Sequence, residues 1–97
     1  SGSGPGYLYY FAEQMLLSAN ALGFSEEEAN VIVQKTFRGA TSLWESQEVS
    51  PKLLRQQVSS PGGTTLAALN HFNSKNVGEL IQEGMLQAYR RAKELSS

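Results

Sequence analysis

Tyr7-Leu8-Tyr9-Tyr10-Phe11-Ala12-Glu13-Gln14-Met15-Leu16-Leu17-Ser18-Ala19-Asn20-Ala21-Leu22 is a sixteen-residue run with neither glycine nor proline. Its reading decides the fold. At about 100° per residue, Tyr7, Phe11, Met15 and Leu22 fall on one side of a helix, and Tyr9, Leu16 and Leu17 on the other. A helix that is apolar nearly all round has to be covered on two sides. In a chain of 97 residues, the cover comes either from the chain's own helices or from a second copy. A short chain gains from a partner because it buries a smaller share of its surface than a large one. The second copy is therefore the favoured reading.

Pro5 suits the first turn of this helix and Gly23 its end. Upstream, Ser1-Gly2-Ser3-Gly4 by composition alone is a flexible linker or an expression scar. Downstream, Ser25 and Glu28 have the S-x-x-E spacing of a capping box, which starts a second helix. Ala29, Ile32, Val33, Thr36, Ala40 and Leu43 form its apolar stripe, with Phe37 and Trp44 on the shoulder, and it should end near Ser46 to Glu48. Ser50-Pro51 opens a short third helix to about Val58. Leu66 to about Phe72 is a fourth, and Asn73 to Asn76 a polar break in which Asn76 and Glu79 look like another capping pair. The fifth carries Val77, Ile81, Gly84, Ala88, Ala92 and Leu95 on one stripe, with Arg90, Arg91 and Lys93 favouring its carboxyl end. No strand-like alternation appears, so the expected fold is all-α, a bundle of about five helices.

Composition removes several classes of function. The net charge is −1, with 8 basic and 9 acidic residues spread along the chain, which offers no electrostatic footprint for nucleic acid or anionic membrane. Cysteine is absent, and the single histidine, His71, cannot by itself build a His-rich metal site. No apolar run approaches the roughly 20 residues that span a bilayer, and no signal peptide is visible. A cytoplasmic protein is expected.

One segment has chemistry written into it: Ser60-Pro61-Gly62-Gly63-Thr64-Thr65. Two glycines immediately before a helix let backbone approach a ligand closely. The amides of Gly63, Thr64 and Thr65, with the hydroxyls of Ser60 and Thr65 and the positive helix end, suit a carboxylate or a phosphate. A Walker A loop is excluded because no Lys-Ser/Thr follows the glycines, and the dinucleotide spacing G-x-G-x-x-G is missing. Against the anion site stands the plainer alternative of a tight turn followed by a helix cap.

At this loop the chain resembles the pyrroline-5-carboxylate reductases, whose signature is similar to Ser60-Pro61-Gly62-Gly63-Thr64-Thr65. Ser1-Gly2-Ser3-Gly4-Pro5 resembles their S-G-S-G-P segment. The likeness extends through Leu22-Gly23-Phe24, Gly39-Ala40, the Glu48 to Pro51 corner and Ala88-Tyr89-Arg90. Gly6 departs from it, standing where the family more often has alanine, and should loosen the first turn by somewhat under about 1 kcal/mol.

The resemblance implies that residues 1–5 end a linker from a doubly wound domain that binds NADPH or NADH, and that residues 6–97 are the dimerisation and substrate-binding domain. This stretch would then bind no cofactor or metal itself and be inactive alone. Family members reduce 1-pyrroline-5-carboxylate to proline, and their helical domains interleave in a two-fold homodimer, with higher assemblies of dimers known. Carried over, the substrate site falls on Ser60, Gly62, Gly63, Thr64 and Thr65. Ser60 and the amides of Gly63 and Thr64 hold the carboxylate, and the Thr65 hydroxyl contacts the ring nitrogen. Thr65 and Glu48 are the residues implied for catalysis, Glu48 orienting Thr65. Glu48 could equally be a solvated helix-end carboxylate. Trp44 and His71 have no family role; Trp44 reads as core or interface and His71 as surface or helix-end packing. The competing reading is a non-catalytic helical dimerisation module on the same scaffold. A third, a different two-domain dehydrogenase acting on another carboxylate, fits the S-P-G-G-T-T segment less well.

Overall fold

The computed structural model describes residues 3–97; Ser1 and Gly2, and with them the start of the expected linker, lie outside the described residues. Five helices follow one another: α1 (Gly4–Ala21), α2 (Glu26–Ser46), α3 (Pro51–Gln57), α4 (Thr64–Ser74) and α5 (Val77–Ser96). Among the described residues there is no strand, so the all-α expectation is met. The chain divides into two compact units, Ser1–Ser50 and Pro51–Ser97.

In the first unit, α1 begins at Gly4, three residues earlier than its apolar run, with Pro5 in the first turn where its missing N–H costs nothing. It ends in a Schellman arrangement. The Phe24 N–H donates to the Ala19 carbonyl at 3.1 Å and the Gly23 N–H to the Asn20 carbonyl at 3.0 Å. Gly23 takes the left-handed conformation, φ +104°, that this motif requires. Two residues later the capping box closes in both directions. The Glu28 N–H donates to the Ser25 hydroxyl at 3.1 Å, and the Ser25 N–H donates to the Glu28 carboxylate at 2.9 Å. The second bond, with help from the Ser25 hydroxyl, holds the Glu28 carboxyl below the usual carboxylate range.

Helix α2 packs on α1, yet the only buried side chains among the described residues are Ala29 (0% exposed) and Val33 (4%). The rest of the α2 stripe is uncovered: Ile32 and Leu43 are exposed, and Trp44 is 52% exposed. One neighbouring helix is narrower than this stripe, which explains the difference from the expected core face. Helix α1 has no buried residue at all; Tyr9 is 74% and Leu17 57% exposed. A groove of about 720 Å³ runs between the two helices, lined among others by Leu8, Tyr9, Leu16, Val33 and Phe37.

In the second unit α4 and α5 pack on one another. Helix α4 starts two residues before Leu66 and continues to Ser74, so the polar break shrinks to Lys75-Asn76. The expected Asn76–Glu79 capping pair does not form. Asn76 is left-handed (φ 58°, ψ 34°) and makes no side-chain cap bond, whereas a capping side chain needs an extended backbone to reach its helix. Lys93 lies over the Tyr89 ring at 5.3 Å, and Arg91 pairs with Glu94 at 2.9 Å on the exposed surface. No residue of α3, α4 or α5 is fully buried. Among the described residues no helix is long and apolar enough to cross a membrane.

Candidate functional site

The candidate site is the connection from α3 to α4. Ser59 ends α3: its hydroxyl donates to the Arg55 carbonyl at 2.5 Å and its N–H to the Gln56 carbonyl at 3.2 Å, which satisfies carbonyls the helix leaves open. Four residues then reverse the chain. The Gly63 N–H donates to the Ser60 carbonyl at 3.0 Å, with Pro61 second and Gly62, at φ +72°, third. A proline followed by a left-handed glycine is the pattern of a type II turn.

Gly63 leaves this turn in extended conformation (φ −83°, ψ 175°) as the residue before α4, and no side chain caps that end. The first helical bond is donated by Ala67, to the Gly63 carbonyl at 3.1 Å. The amides of Thr64, Thr65 and Leu66 are thereby left without an intrahelical acceptor, as the first turn of any helix dictates. No acidic residue occupies that turn, so nothing in it competes with an incoming anion for the positive helix end. The hydroxyls of Ser60, Thr64 and Thr65, all exposed, are available to a ligand.

Two details depart from the sequence reading. The Gly63 amide, expected among the outward donors, is spent on closing the turn, and the Leu66 amide takes its place in the free set. Gly63 contributes through the atom it lacks: a β-carbon there would lie 2.5 Å from the Ser60 hydroxyl oxygen. The only signal for that in the sequence is the second glycine, whose need a turn rule alone does not explain. The structure thus brings Ser60, Gly62, Gly63, Thr64 and Thr65 together as one turn and helix start. Glu48 belongs to the other unit. It is exposed in the Gln47 to Ser50 connection of the first unit, two residues beyond the end of α2. His71 is exposed in the last turn of α4, as expected for a surface position. Among the described residues no group of three His, Cys, Asp or Glu could hold a metal ion.

Known proteins carry the same framework. A pyrroline-5-carboxylate reductase from Vibrio alginolyticus is 38% identical over 96 residues, covering 98% of this chain and 35% of the relative. A solved pyrroline-5-carboxylate reductase from Coxiella burnetii superposes with a TM-score of 0.91 at 39% identity, covering 98% of this chain and 35% of that one. The NADP-bound Plasmodium falciparum pyrroline carboxylate reductase superposes with a TM-score of 0.95 at 25% identity, over all of this chain and 39% of its own. The chain therefore spans about a third of the length of the relatives it matches. The family model for pyrroline-5-carboxylate reductase dimerisation matches residues 1–95, and the chain belongs to that family.

Proposed function

We propose that these residues form the dimerisation and substrate-binding part of a pyrroline-5-carboxylate reductase, which reduces 1-pyrroline-5-carboxylate to L-proline. The observation that carries the reading is the uncapped start of α4 directly behind the Ser60–Gly63 turn. An anion is the natural partner of three free amides at the positive end of a helix. Residues 1–5 on this reading lead in from a separate domain that binds NADPH or NADH, and the reaction belongs to the cytoplasm.

The substrate is a five-membered cyclic imine bearing one carboxylate. Its carboxylate would sit on the Thr64 and Thr65 amides, with the Ser60 hydroxyl donating to the same group. That fixes the ring by its charged end and directs the C=N bond toward Thr65. The nicotinamide supplies the hydride, which adds to the imine carbon as the C=N bond becomes single. Nitrogen keeps or gains the proton. The Thr65 hydroxyl can accept from a protonated imine or donate to the product amine, and Glu48 would orient that hydroxyl. What these residues add is placement, which converts an encounter between two molecules into a reaction within one complex.

The dimerisation family supports a homodimer, and we assign its form as two interleaved copies related by a two-fold axis. The exposed apolar sides of α1 and the uncovered part of the α2 stripe are the surfaces such a partner would bury.

The test is the natural full-length protein, assayed for NADPH and NADH oxidation with 1-pyrroline-5-carboxylate. Turnover that falls about 100-fold in Thr65→Ala while the dimer persists is the expected result. A full-length protein that dimerises but oxidises neither cofactor with this substrate would be a helical scaffold without the site, and the reading would fall.

A further inference from the structure

The second glycine of the Ser60–Thr65 segment has a role that the turn does not demand. Gly62 supplies the left-handed φ of the turn, but Gly63 is extended, at φ −83° and ψ 175°, a conformation that any residue adopts. An alanine there would collide with the Ser60 side chain as it stands. Its β-carbon would stand 2.5 Å from the Ser60 hydroxyl oxygen, 3.1 Å from the Ser60 carbonyl oxygen and 3.8 Å from the Ser60 β-carbon. The backbone contact asks for a shift of only a few tenths of an ångström. The hydroxyl contact cannot, and it can be removed only by rotating the serine side chain to another staggered well.

Ser60 is exposed and, among the described residues, its hydroxyl makes no hydrogen bond that would choose one rotamer over another. Its backbone, by contrast, is held by the bond from the Gly63 N–H to its carbonyl. We propose that Gly63 is a positioning residue: the space left by its missing β-carbon seats the Ser60 hydroxyl against the residue that precedes the free amides of α4, and so aims it at the substrate carboxylate. This rests on the carboxylate reading above. In that arrangement the turn bond holds the Ser60 backbone, and Gly63 sets the direction of its hydroxyl oxygen.

The experiment is a double-mutant cycle in the natural full-length protein, with Ser60→Ala, Gly63→Ala and both together, reading KM for 1-pyrroline-5-carboxylate against kcat. A hydroxyl that holds the carboxylate equally in ground and transition states shows itself in KM. Ser60→Ala should raise KM about tenfold, the loss of a hydrogen bond to a charged group, with kcat within about twofold. Gly63→Ala should do the same, and the double variant should be no worse than either single one, because the same hydroxyl is lost each way. A parental KM in Gly63→Ala, or effects that multiply in the double variant, would overturn the proposal while leaving the carboxylate reading in place. An unchanged KM in Ser60→Ala would overturn the proposal as well, whereas a parent protein that does not turn over 1-pyrroline-5-carboxylate would bring down the reading on which it rests. Should Gly63→Ala fail to fold, the double variant decides. Recovery of folding when the hydroxyl is removed supports the proposal; continued misfolding assigns the clash to the backbone oxygen and overturns it.

Discussion

The Gly63 N–H and the Ser60 carbonyl close a turn at 3.0 Å, and that single bond separates two sets of amides. Behind it, the donor of Gly63 is used. Ahead of it, those of Thr64, Thr65 and Leu66 open onto the start of α4 without a capping side chain. The turn therefore does more than reverse the chain: it delivers an uncapped helix end, whose free amides favour an anion.

Thr65 is the residue whose loss should act on chemistry and on nothing else. Its side chain is exposed, so Thr65→Ala should change stability by no more than about 0.5 kcal/mol. In the full-length protein kcat should fall about 100-fold, the low end of what a placed proton donor or acceptor supplies. Thr65→Ser should restore most of it. Steady-state kinetics beside a thermal melt would check both halves, and equal rates in the alanine and serine variants would remove the hydroxyl from the reaction.

Gly62 should be demanding in a different way. At φ +72° an L-residue with a β-carbon is strained by roughly 1–2 kcal/mol, so Gly62→Ala should lower the melting temperature. Gly62→Asn should lower it less, since asparagine tolerates the left-handed region. Comparing the two melts isolates the backbone from side-chain volume, because asparagine is the larger residue. The opposite order would show that space limits this position.

Local signals were the legible ones. Ser25 and Glu28 could be paired from their spacing because both halves of a capping box lie within one turn, and the box is present in full. Asn76 and Glu79 have the same spacing and fail, because the two-residue connection Lys75-Asn76 puts Asn76 in the left-handed region, a constraint that spacing does not carry. The S-P-G-G-T-T segment was legible as a helix start with free donors. Which amides were free was not, since that depends on the turn bond taking the one from Gly63. The α2 stripe was correctly placed at Ala29 and Val33, but Ile32 and Leu43 stay exposed. Periodicity reports that a face is apolar, not which molecule covers it. A role for Glu48 was reachable only through the resemblance: nothing within a few residues of it marks chemistry.

The capping box gives α2 a dependence on pH whose sign is fixed. Bonding from Ser25 lowers the folded-state pKa of Glu28 below its unfolded value. Its contribution to stability is therefore fully present above the ordinary carboxylate range and is lost as pH falls through the folded-state value. Melting curves from neutral to acid pH should show Glu28→Gln converging on the parent protein at the acid end. A difference that stays constant across the range would mean that the carboxylate's charge plays no part. Ser25→Ala should cost about 1 kcal/mol at neutral pH, the usual worth of an N-cap.

Leu17 offers the sharpest test of what covers α1. Within its own unit it is 57% exposed, so replacing it by glutamate in a chain that stayed single would alter stability by less than about 0.5 kcal/mol. In a two-fold dimer that buries both sides of α1, the same carboxylate would be driven into an apolar interface without a partner, and burying an unpaired charge is strongly unfavourable. Leu17→Glu should then weaken the dimer by at least about 2 kcal/mol, the scale of an interface hot spot, or close to 30-fold in Kd. Lys35→Glu, a charge change at an exposed position of α2, serves as the control. Sedimentation equilibrium on the two variants reads the difference directly. A dimer of parental strength in Leu17→Glu would show that this side of α1 faces water in the assembly, and the second copy would have to be placed elsewhere.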